Sequence, residues 1–191
     1  MQGLLDQKKL IYESIMNLYL LRHANAGQRR SNPKLDLKRP LDKEGKQQCL
    51  LIGGVLSALK VQFDCILSSP LKRALQTASL VGTESCYEQR IVVSPALSPS
   101  GTWREFQTLL AGLTKYEDVL LVGHNPNLTQ YLNTLLCHSA TVAPIRMRKG
   151  AIAKLDMNRT PGRLQWLFDP RLVRAVQASS VKRSRPKTSR K

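Results

Sequence analysis

The chain has 191 residues, with 30 lysines and arginines against 13 aspartates and glutamates, and a formal net charge of +17. This length fits one domain with residues left for tails, and 42% apolar residues are enough to build a core. Four cysteines without a CxxC pair, and only three histidines, exclude zinc-finger frameworks and favour reduced thiols. No apolar run approaches the ~18 residues that cross a bilayer, so we expect a cytoplasmic protein.

The positive charge is concentrated near the carboxyl terminus. Residues 171–191 carry eight of the lysines and arginines and no carboxylate. The end of this segment has no large apolar side chain, so it buries too little surface to offset the entropy of ordering. We therefore predict a basic disordered tail at 178–191, which is either a solvated extension or a weak binder of polyanions. Residues 1–15 are interpreted as an N-terminal extension, and 16–177 as the single domain.

The body of the domain alternates short apolar runs with longer amphipathic patterns. Buried strands are predicted at 17–21, 63–68, 91–94 and 118–123. Each is followed by a predicted helix, at 41–60, 70–81, 102–114 and 126–136. A closing pair of strands is predicted at 151–156 and 164–168, around the turn Pro161-Gly162. This alternation predicts an α/β three-layer sandwich, with a mainly parallel central sheet and helices on both faces.

Residues suited to phosphate chemistry follow the predicted strands. Sheets of this type bind their ligands at the carboxyl ends of the strands. Arg22 and His23 follow the first strand, Arg73 lies one helical turn beyond the second, and His124 follows the fourth. Guanidinium groups match phosphate oxygens in pairs, and a neutral imidazole is a good phosphoryl acceptor. The four residues together predict a phosphoryl-binding site, and no carboxylate cluster suggests a metal or another cofactor.

These motifs resemble the histidine phosphatase superfamily, which has the phosphoglycerate mutase-like fold. The matching stretches, in the family's order, are LRHANA at 21–26, SSPLKRALQTA at 68–78 and VGHNP at 122–126. The Arg39-Pro40-Leu41 stretch and the LSPSG loop at 97–101 are similar to SixA-type phosphohistidine phosphatases. That type acts on phosphotransfer domains of two-component signal transduction systems.

The resemblance implies a role for each matching residue. His23 is the expected nucleophile, which takes the phosphoryl group and then loses it to water. Arg22 and Arg73 are expected to bind the phosphoryl oxygens, and His124 to complete the catalytic site by binding the same group. Arg39 is a further candidate phosphate ligand. The implied activity is hydrolysis through a phosphohistidine enzyme intermediate, with no metal required.

Two details of the sequence bear on the substrate. Asn25 follows the Arg-His pair and either binds phosphate or braces the loop as a turn residue. Larger family members supply a carboxylate after the third strand as general acid, whereas residues 94–99 contain none. Glu105, on the next helix, is interpreted as a solvated surface residue. Since an imidazole can leave already protonated, the missing acid favours phosphohistidine over phosphate esters.

Three functions are compatible with the sequence. The first is a protein phosphohistidine phosphatase whose partner is a phosphorylated histidine phosphotransfer domain or histidine kinase. The second is a broad phosphomonoesterase acting on small phosphate esters. The third is a non-catalytic module that binds phosphate or nucleic acid through the basic tail. Because binding alone does not require a nucleophile, the two histidines and two arginines favour an enzyme. A monomer without membrane or nucleic-acid partners is expected.

Overall fold

The computed structural model describes residues 16–137 and 145–183. The predicted N-terminal extension at 1–15 and residues 184–191 of the predicted tail lie outside the described residues. Within the described ranges, every helix is too short or too polar to cross a membrane.

A six-stranded sheet forms the centre of the domain. Its strands are β1 (Asn17–Arg22), β2 (Cys65–Ser68), β3 (Val92–Val93), β4 (Asp118–Gly123), β5 (Ile152–Asp156) and β6 (Arg163–Phe168). The strands lie in the order β3-β2-β4-β1-β5-β6. The first four along this order are parallel, β5 runs antiparallel to β1, and β6 runs antiparallel to β5. The mainly parallel sheet predicted from the sequence is confirmed.

Helices cover both faces of the sheet, so the three-layer architecture is confirmed. They are α1 (Pro33–Leu37), α2 (Lys43–Ala58), α3 (Lys72–Glu84), α4 (Trp103–Ala111), α5 (Asn127–Leu136) and α6 (Pro170–Arg183). Buried residues of α2, α3 and α6 pack in one apolar cluster, and those of α4 and α5 pack in the other.

The apolar sequence of β1 follows from this double cover. Leu18 and Leu20 point into the cluster of α4 and α5, whereas Tyr19 and Leu21 point into the cluster of α2 and α3. Successive side chains of a strand alternate between faces, so a strand covered on both sides needs apolar residues at every position.

Two helices were not predicted from the sequence. One is the five-residue α1, which buries no residue. The other is α6, where the Asp169 carboxylate accepts a hydrogen bond from the Arg171 backbone N–H and Val173 is buried in the apolar cluster that contains residues of α2 and α3. This helix continues to Arg183, past residue 178, where the basic tail is predicted to begin. The first turns of α6 are anchored by Val173, and a helix once nucleated adds residues at little cost.

Smaller differences concern element boundaries. The α3 helix was predicted from Pro70, with that proline in its first turn, but the helix begins at Lys72. The third strand shortens to two residues and leads into a single 3-10 turn, Pro95–Leu97. Asp42 caps α2 as its position before the helix suggests, accepting a hydrogen bond from the Gly45 N–H at 2.7 Å.

Candidate active site

The register of the sheet brings the two strand-end histidines together. Arg22 at the end of β1 lies opposite Gly123 at the end of β4, and the His23 N–H donates to the Gly123 carbonyl at 3.0 Å. The imidazole rings of His23 and His124 consequently lie 4.8 Å apart between centroids, tilted by 54°. Parallel strands place their carboxyl ends at one edge, which is why residues 101 positions apart meet.

A cavity of about 930 Å³ opens at this edge of the sheet, here called the main cavity. The four predicted catalytic residues all line it: Arg22, His23, Arg73 and His124. Lys149 and Asp36 also contribute to the lining. The sequence-based grouping of the two histidines and two arginines around one cavity therefore agrees with the structure.

His23 is held with one ring nitrogen fixed and the other available. Its Nδ1 lies 2.8 Å from the Ala24 carbonyl oxygen. Because a carbonyl only accepts, Nδ1 carries the proton and Nε2 carries the lone pair. Among the described residues, no hydrogen bond engages Nε2. The ring is thus oriented with an unprotonated nitrogen free to act as a nucleophile.

The surroundings of His23 keep the imidazole neutral. Burial, against the opposing effect of the Ala24 hydrogen bond and with smaller contributions from the positive charges of Arg73, Arg22 and Lys149, lowers its pKa to about 3. The side chain is 7% exposed. A neutral imidazole keeps its lone pair at physiological pH, which a phosphoryl acceptor requires.

His124 is buried more deeply than His23 and is held by a serine. Its Nε2 lies 2.8 Å from the Ser69 hydroxyl oxygen. That oxygen accepts a hydrogen bond from the Leu71 N–H, which fixes the serine side chain. Burial, followed by the proximity of His23 and the arginines, lowers the His124 pKa to about 2. Both imidazoles are therefore neutral.

The two arginines and His124 contribute unpaired nitrogens to the site. Arg22 Nη1 donates to the Met147 carbonyl at 2.9 Å, and Arg73 Nη1 donates to the Asp36 carbonyl at 3.0 Å. Within the described part of the chain, Arg22 Nε, Arg73 Nε and His124 Nδ1 are buried without a hydrogen-bond partner. Buried polar atoms without partners are costly, so a ligand with several acceptor oxygens would stabilise the two arginine donors.

Asp36 connects Arg73 to Arg39. Its carboxylate accepts from Arg39 Nε at 2.8 Å and lies 3.4 Å from Arg73 Nη1. Desolvation raises the pKa of the Asp36 carboxyl, but hydrogen bonds from the Arg30 backbone and from Arg39 outweigh it and hold the pKa below its usual range. Asp36 is therefore ionised and is not a proton donor at neutral pH.

Arg39 and Asn25, the two remaining predicted phosphate ligands, lie differently. Arg39 lines the main cavity, but its Nε is bound to Asp36 and its Nη1 donates to the Ala26 and Gly27 carbonyls at 2.8 and 3.1 Å. These bonds brace the segment after β1.

Asn25 is engaged outside the lining of the main cavity. Its Nδ2 donates to Asp42 at 2.8 Å and to Glu44 at 3.2 Å, and its Oδ1 accepts from Lys149 Nζ at 2.7 Å. Of the two roles left open by the sequence, the hydrogen bonds match the bracing of the loop. Gly45 permits this arrangement, because a Cβ there would overlap the Asn25 carbonyl.

Sequence reasoning missed three residues of the site. Lys149 precedes β5, and the pairing of Leu21 with Ile152 brings the start of this antiparallel strand to the carboxyl end of β1. If β5 is assumed to run antiparallel to β1, the sequence places Lys149 at this edge of the sheet. Ser69 follows β2 directly and carried the same signal as the histidines. Asp36 had no signal, because it lies on the short helix α1.

Among the described residues, Asp36 is the one carboxylate that lines the main cavity. Glu105 closes the capping box of α4, accepting from the Thr102 N–H at 2.7 Å, and it does not line the main cavity. In the described ranges, histidines, cysteines and carboxylates do not gather into a group of three or more that could hold a metal ion.

Comparisons with known proteins agree with this geometry. The profile of the histidine phosphatase superfamily (branch 1) matches residues 18–99. The phosphohistidine phosphatase SixA of Escherichia coli is 29% identical over 166 residues, covering 85% of this chain and 99% of SixA. An uncharacterized protein of Picosynechococcus is 33% identical over 125 residues, covering 63% of this chain and 73% of that protein.

The fold gives the same relationship. The structure of the protein histidine phosphatase SixA complexed with tungstate matches with a TM-score of 0.73 and 27% identity, covering 83% of this chain and 99% of that one. The sheet order, the paired histidines and the arginines described above agree with these matches. This chain belongs to the histidine phosphatase superfamily and is a phosphatase related to SixA.

Proposed function

We propose that the protein is a phosphohistidine phosphatase that hydrolyses the P–N bond of phosphohistidine on a protein phosphotransfer domain. One observation carries the proposal. His23 is neutral, its Nδ1 proton is bound to the Ala24 carbonyl, and its Nε2 has no hydrogen bond among the described residues in a cavity lined by arginines. This is the state that a phosphoryl acceptor needs before the reaction begins.

In the first step, His23 Nε2 attacks the phosphorus and the P–N bond of the substrate breaks. The electron pair of that bond stays with the substrate imidazole, which leaves neutral if its other nitrogen is already protonated. As His23 becomes cationic, the Ala24 carbonyl at 2.8 Å stabilises the Nδ1 proton. The three equatorial oxygens carry the charge of the transition state.

The arginines and His124 are proposed to bind those oxygens. Arg22 Nε and Arg73 Nε are buried donors without partners among the described residues. Fixed donors in a buried site stabilise developing negative charge without reorganising. His124 packs on His23, and the Ser69 hydroxyl is proposed to donate to its Nε2, which leaves the single proton of the neutral ring on Nδ1. The Nδ1–H is then the proposed donor to the same phosphoryl group.

In the second step, water attacks the phosphorus of the phosphorylated His23. The P–Nε2 bond breaks, its electron pair returns to the imidazole, and inorganic phosphate leaves. The cationic ring of phosphorylated His23 is a good leaving group for the same reason as the substrate imidazole.

The preference for phosphohistidine over esters rests on proton donation. An alkoxide leaving group requires an acid, and Asp36, which lines the main cavity, is held ionised by Arg39 and the Arg30 backbone. An imidazole leaving group does not require one. The relatives named as phosphohistidine and protein histidine phosphatases support the same substrate class.

The test compares two substrates on two proteins. A histidine-phosphorylated phosphotransfer domain and p-nitrophenyl phosphate are each incubated with wild type and with His23→Ala. We expect wild type to dephosphorylate the domain with a much higher kcat/KM than the ester, and the variant to lose at least about a thousandfold on the domain. Phosphate release from both substrates is the measurement.

Each alternative has its own result. Turnover of the ester alone would replace the proposed substrate by small phosphate esters. Undiminished dephosphorylation of the domain by His23→Ala would contradict the mechanism. Lys72→Ala serves as the matched control, because Lys72 is an exposed cation beside the buried Arg73 and does not line the main cavity.

A further inference from the structure

A second cavity of about 290 Å³, here called the side cavity, adjoins the main cavity. Arg22 and Lys149 line both. Lys149 Nζ is fixed by Asn25 Oδ1 at 2.7 Å, and Arg22 Nη1 is fixed by the Met147 carbonyl at 2.9 Å. A ligand whose phosphoryl group contacts Arg22 therefore has its neighbouring groups next to the side cavity.

The side cavity carries an excess of positive charge. Besides Arg22 and Lys149, it is lined by three more arginines, Arg146, Arg148 and Arg171. Two carboxylates oppose these five cations, Glu44 and Asp169.

The two carboxylates are already engaged. Asp169 lies 3.3 Å from Arg148 Nε, and Glu44 accepts hydrogen bonds from Asn25 at 3.2 Å and from Gln48 at 3.3 Å. Arg146 and Arg171 are exposed, and their guanidinium groups form no ion pair with the residues that the structure describes. Two guanidinium groups are thus available to an anion from outside.

We propose that the side cavity binds an acidic side chain of the phosphoprotein substrate, close in sequence or space to the phosphorylated histidine. The inference rests on the proposed function and names a determinant of its specificity. Arg146 and Arg171 are the proposed contacts, because a guanidinium fork matches a carboxylate in two parallel hydrogen bonds. Lys149 and Arg22 add positive potential from the shared lining.

Exposed apolar side chains of α1, at and beside the main cavity, favour a protein over a small phosphate compound. Leu35 and Leu37 on α1 are each 53% exposed, and Leu37 lines the main cavity. Apolar contact on one side and exposed arginines on the other are typical of a docking surface for a protein. A small phosphate ester without a further anionic or apolar group would use neither.

The experiment uses two histidine-phosphorylated peptides that differ in charge alone: one has glutamates flanking the phosphohistidine and the other has glutamines. Their kcat/KM values are measured with wild type, with Arg146→Glu/Arg171→Glu, and with Arg159→Glu/Arg163→Glu. The last variant makes the same change of charge at the opposite edge of the sheet, since Arg163 pairs with Asp156 and Asp156 with Asn17 at the start of β1.

The side-cavity variant is expected to lose about tenfold in kcat/KM on the glutamate peptide, and at most about twofold on the glutamine peptide. The opposite-edge variant is expected to change both by less than about twofold. Equal losses on both peptides, or an equal loss in the opposite-edge variant, would overturn the inference while the proposed function stands. Hydrolysis of neither peptide by wild type would overturn both.

Discussion

The floor and the rim of the main cavity are built in different ways. The floor consists of four residues at or beyond the carboxyl ends of β1, β2 and β4: Arg22, His23, Arg73 and His124. The rim is the segment 27–39. The two histidines and Arg73 are at most 7% exposed, whereas most of the rim is exposed and α1 buries no residue.

The forces that hold the two regions differ accordingly. The floor is fixed by the sheet, whose register sets the two imidazole rings 4.8 Å apart. The rim is held by polar contacts, in which Asp36 joins Arg39 and Arg73, and Arg39 binds the Ala26 and Gly27 carbonyls. The chemistry therefore depends on the fold, and the rim depends on a few charged side chains that can be changed without unfolding the protein.

Substituting a floor arginine is expected to have the largest effect. Arg73→Ala removes a buried donor. It is expected to lower kcat/KM on a histidine-phosphorylated phosphotransfer domain by about a thousandfold. The measurement is phosphate release. Lys72→Ala, one residue away and exposed, is expected to keep wild-type activity. A loss below about tenfold for Arg73→Ala would show that the floor does not need this guanidinium.

The floor histidines are also expected to make the protein sensitive to acid. Their pKa values fall to about 3 and about 2 on folding, from 6.5, mainly through burial. At a pH between the pKa of the folded protein and 6.5, the unfolded chain binds more protons than the folded protein. The free energy of unfolding therefore falls as the pH falls. From about pH 7 to about pH 5, each histidine should lower the free energy of unfolding by about 2 kcal/mol.

Urea unfolding of wild type and His124→Gln at both pH values is the measurement. On acidification, the free energy of unfolding of the variant should decrease by about 2 kcal/mol less than that of wild type. Asp36→Asn, a rim substitution, should keep the wild-type difference, because the lowered pKa of Asp36 leaves the carboxyl ionised throughout this range. Identical pH dependence in wild type and His124→Gln would contradict the account of the floor.

The same rim substitution is expected to have a moderate effect on activity. Asp36→Asn removes the charge that positions Arg73 and Arg39, and kcat/KM should fall by about tenfold. Because Asp36 acts through Arg73, the double variant Asp36→Asn/Arg73→Ala should be no worse than Arg73→Ala alone. Additive losses in this double-mutant cycle would give Asp36 a role of its own.

The smallest effect is expected at Glu105, which belongs to neither region. Its carboxylate closes the capping box of α4. Glu105→Ala should leave kcat/KM within about twofold of wild type and lower the free energy of unfolding by about 1 kcal/mol. A loss of activity at constant stability would instead make Glu105 the general acid.

Sequence reasoning predicted the floor far better than the rim. The strands are apolar at every position because both faces are covered, and reactive residues directly after such strands meet at one edge. This rule predicted that His23 and His124 share one site, although they are 101 positions apart in the sequence. The rim has no comparable signal, since α1 is short and buries nothing. The hydrogen bonds of Arg39 and Asp36 depend on tertiary contacts that a linear pattern does not contain.

The helix α6 was not predicted for a similar reason. Residues 178–183 have the composition of a disordered segment, but they continue a helix that begins at Pro170 and is anchored by Val173. The composition of residues 178–183 carries no information on Val173, which lies several residues earlier and holds the helix in the core. Lys149 was missed because the antiparallel direction of β5, and with it the edge where Lys149 lies, is set by pairing with β1.

The central claim is that His23 carries the phosphoryl group during turnover, and the most direct measurement is to trap it there. Wild type is mixed with a histidine-phosphorylated domain, quenched in alkali, in which P–N bonds survive, and digested with trypsin. Cleavage after Arg22 gives a peptide, residues 23–29, with His23 as its single histidine. We expect phosphate on this peptide in wild type and none in His23→Ala. Phosphate on the His124 peptide, with the 23–29 peptide unmodified during full turnover, would contradict it.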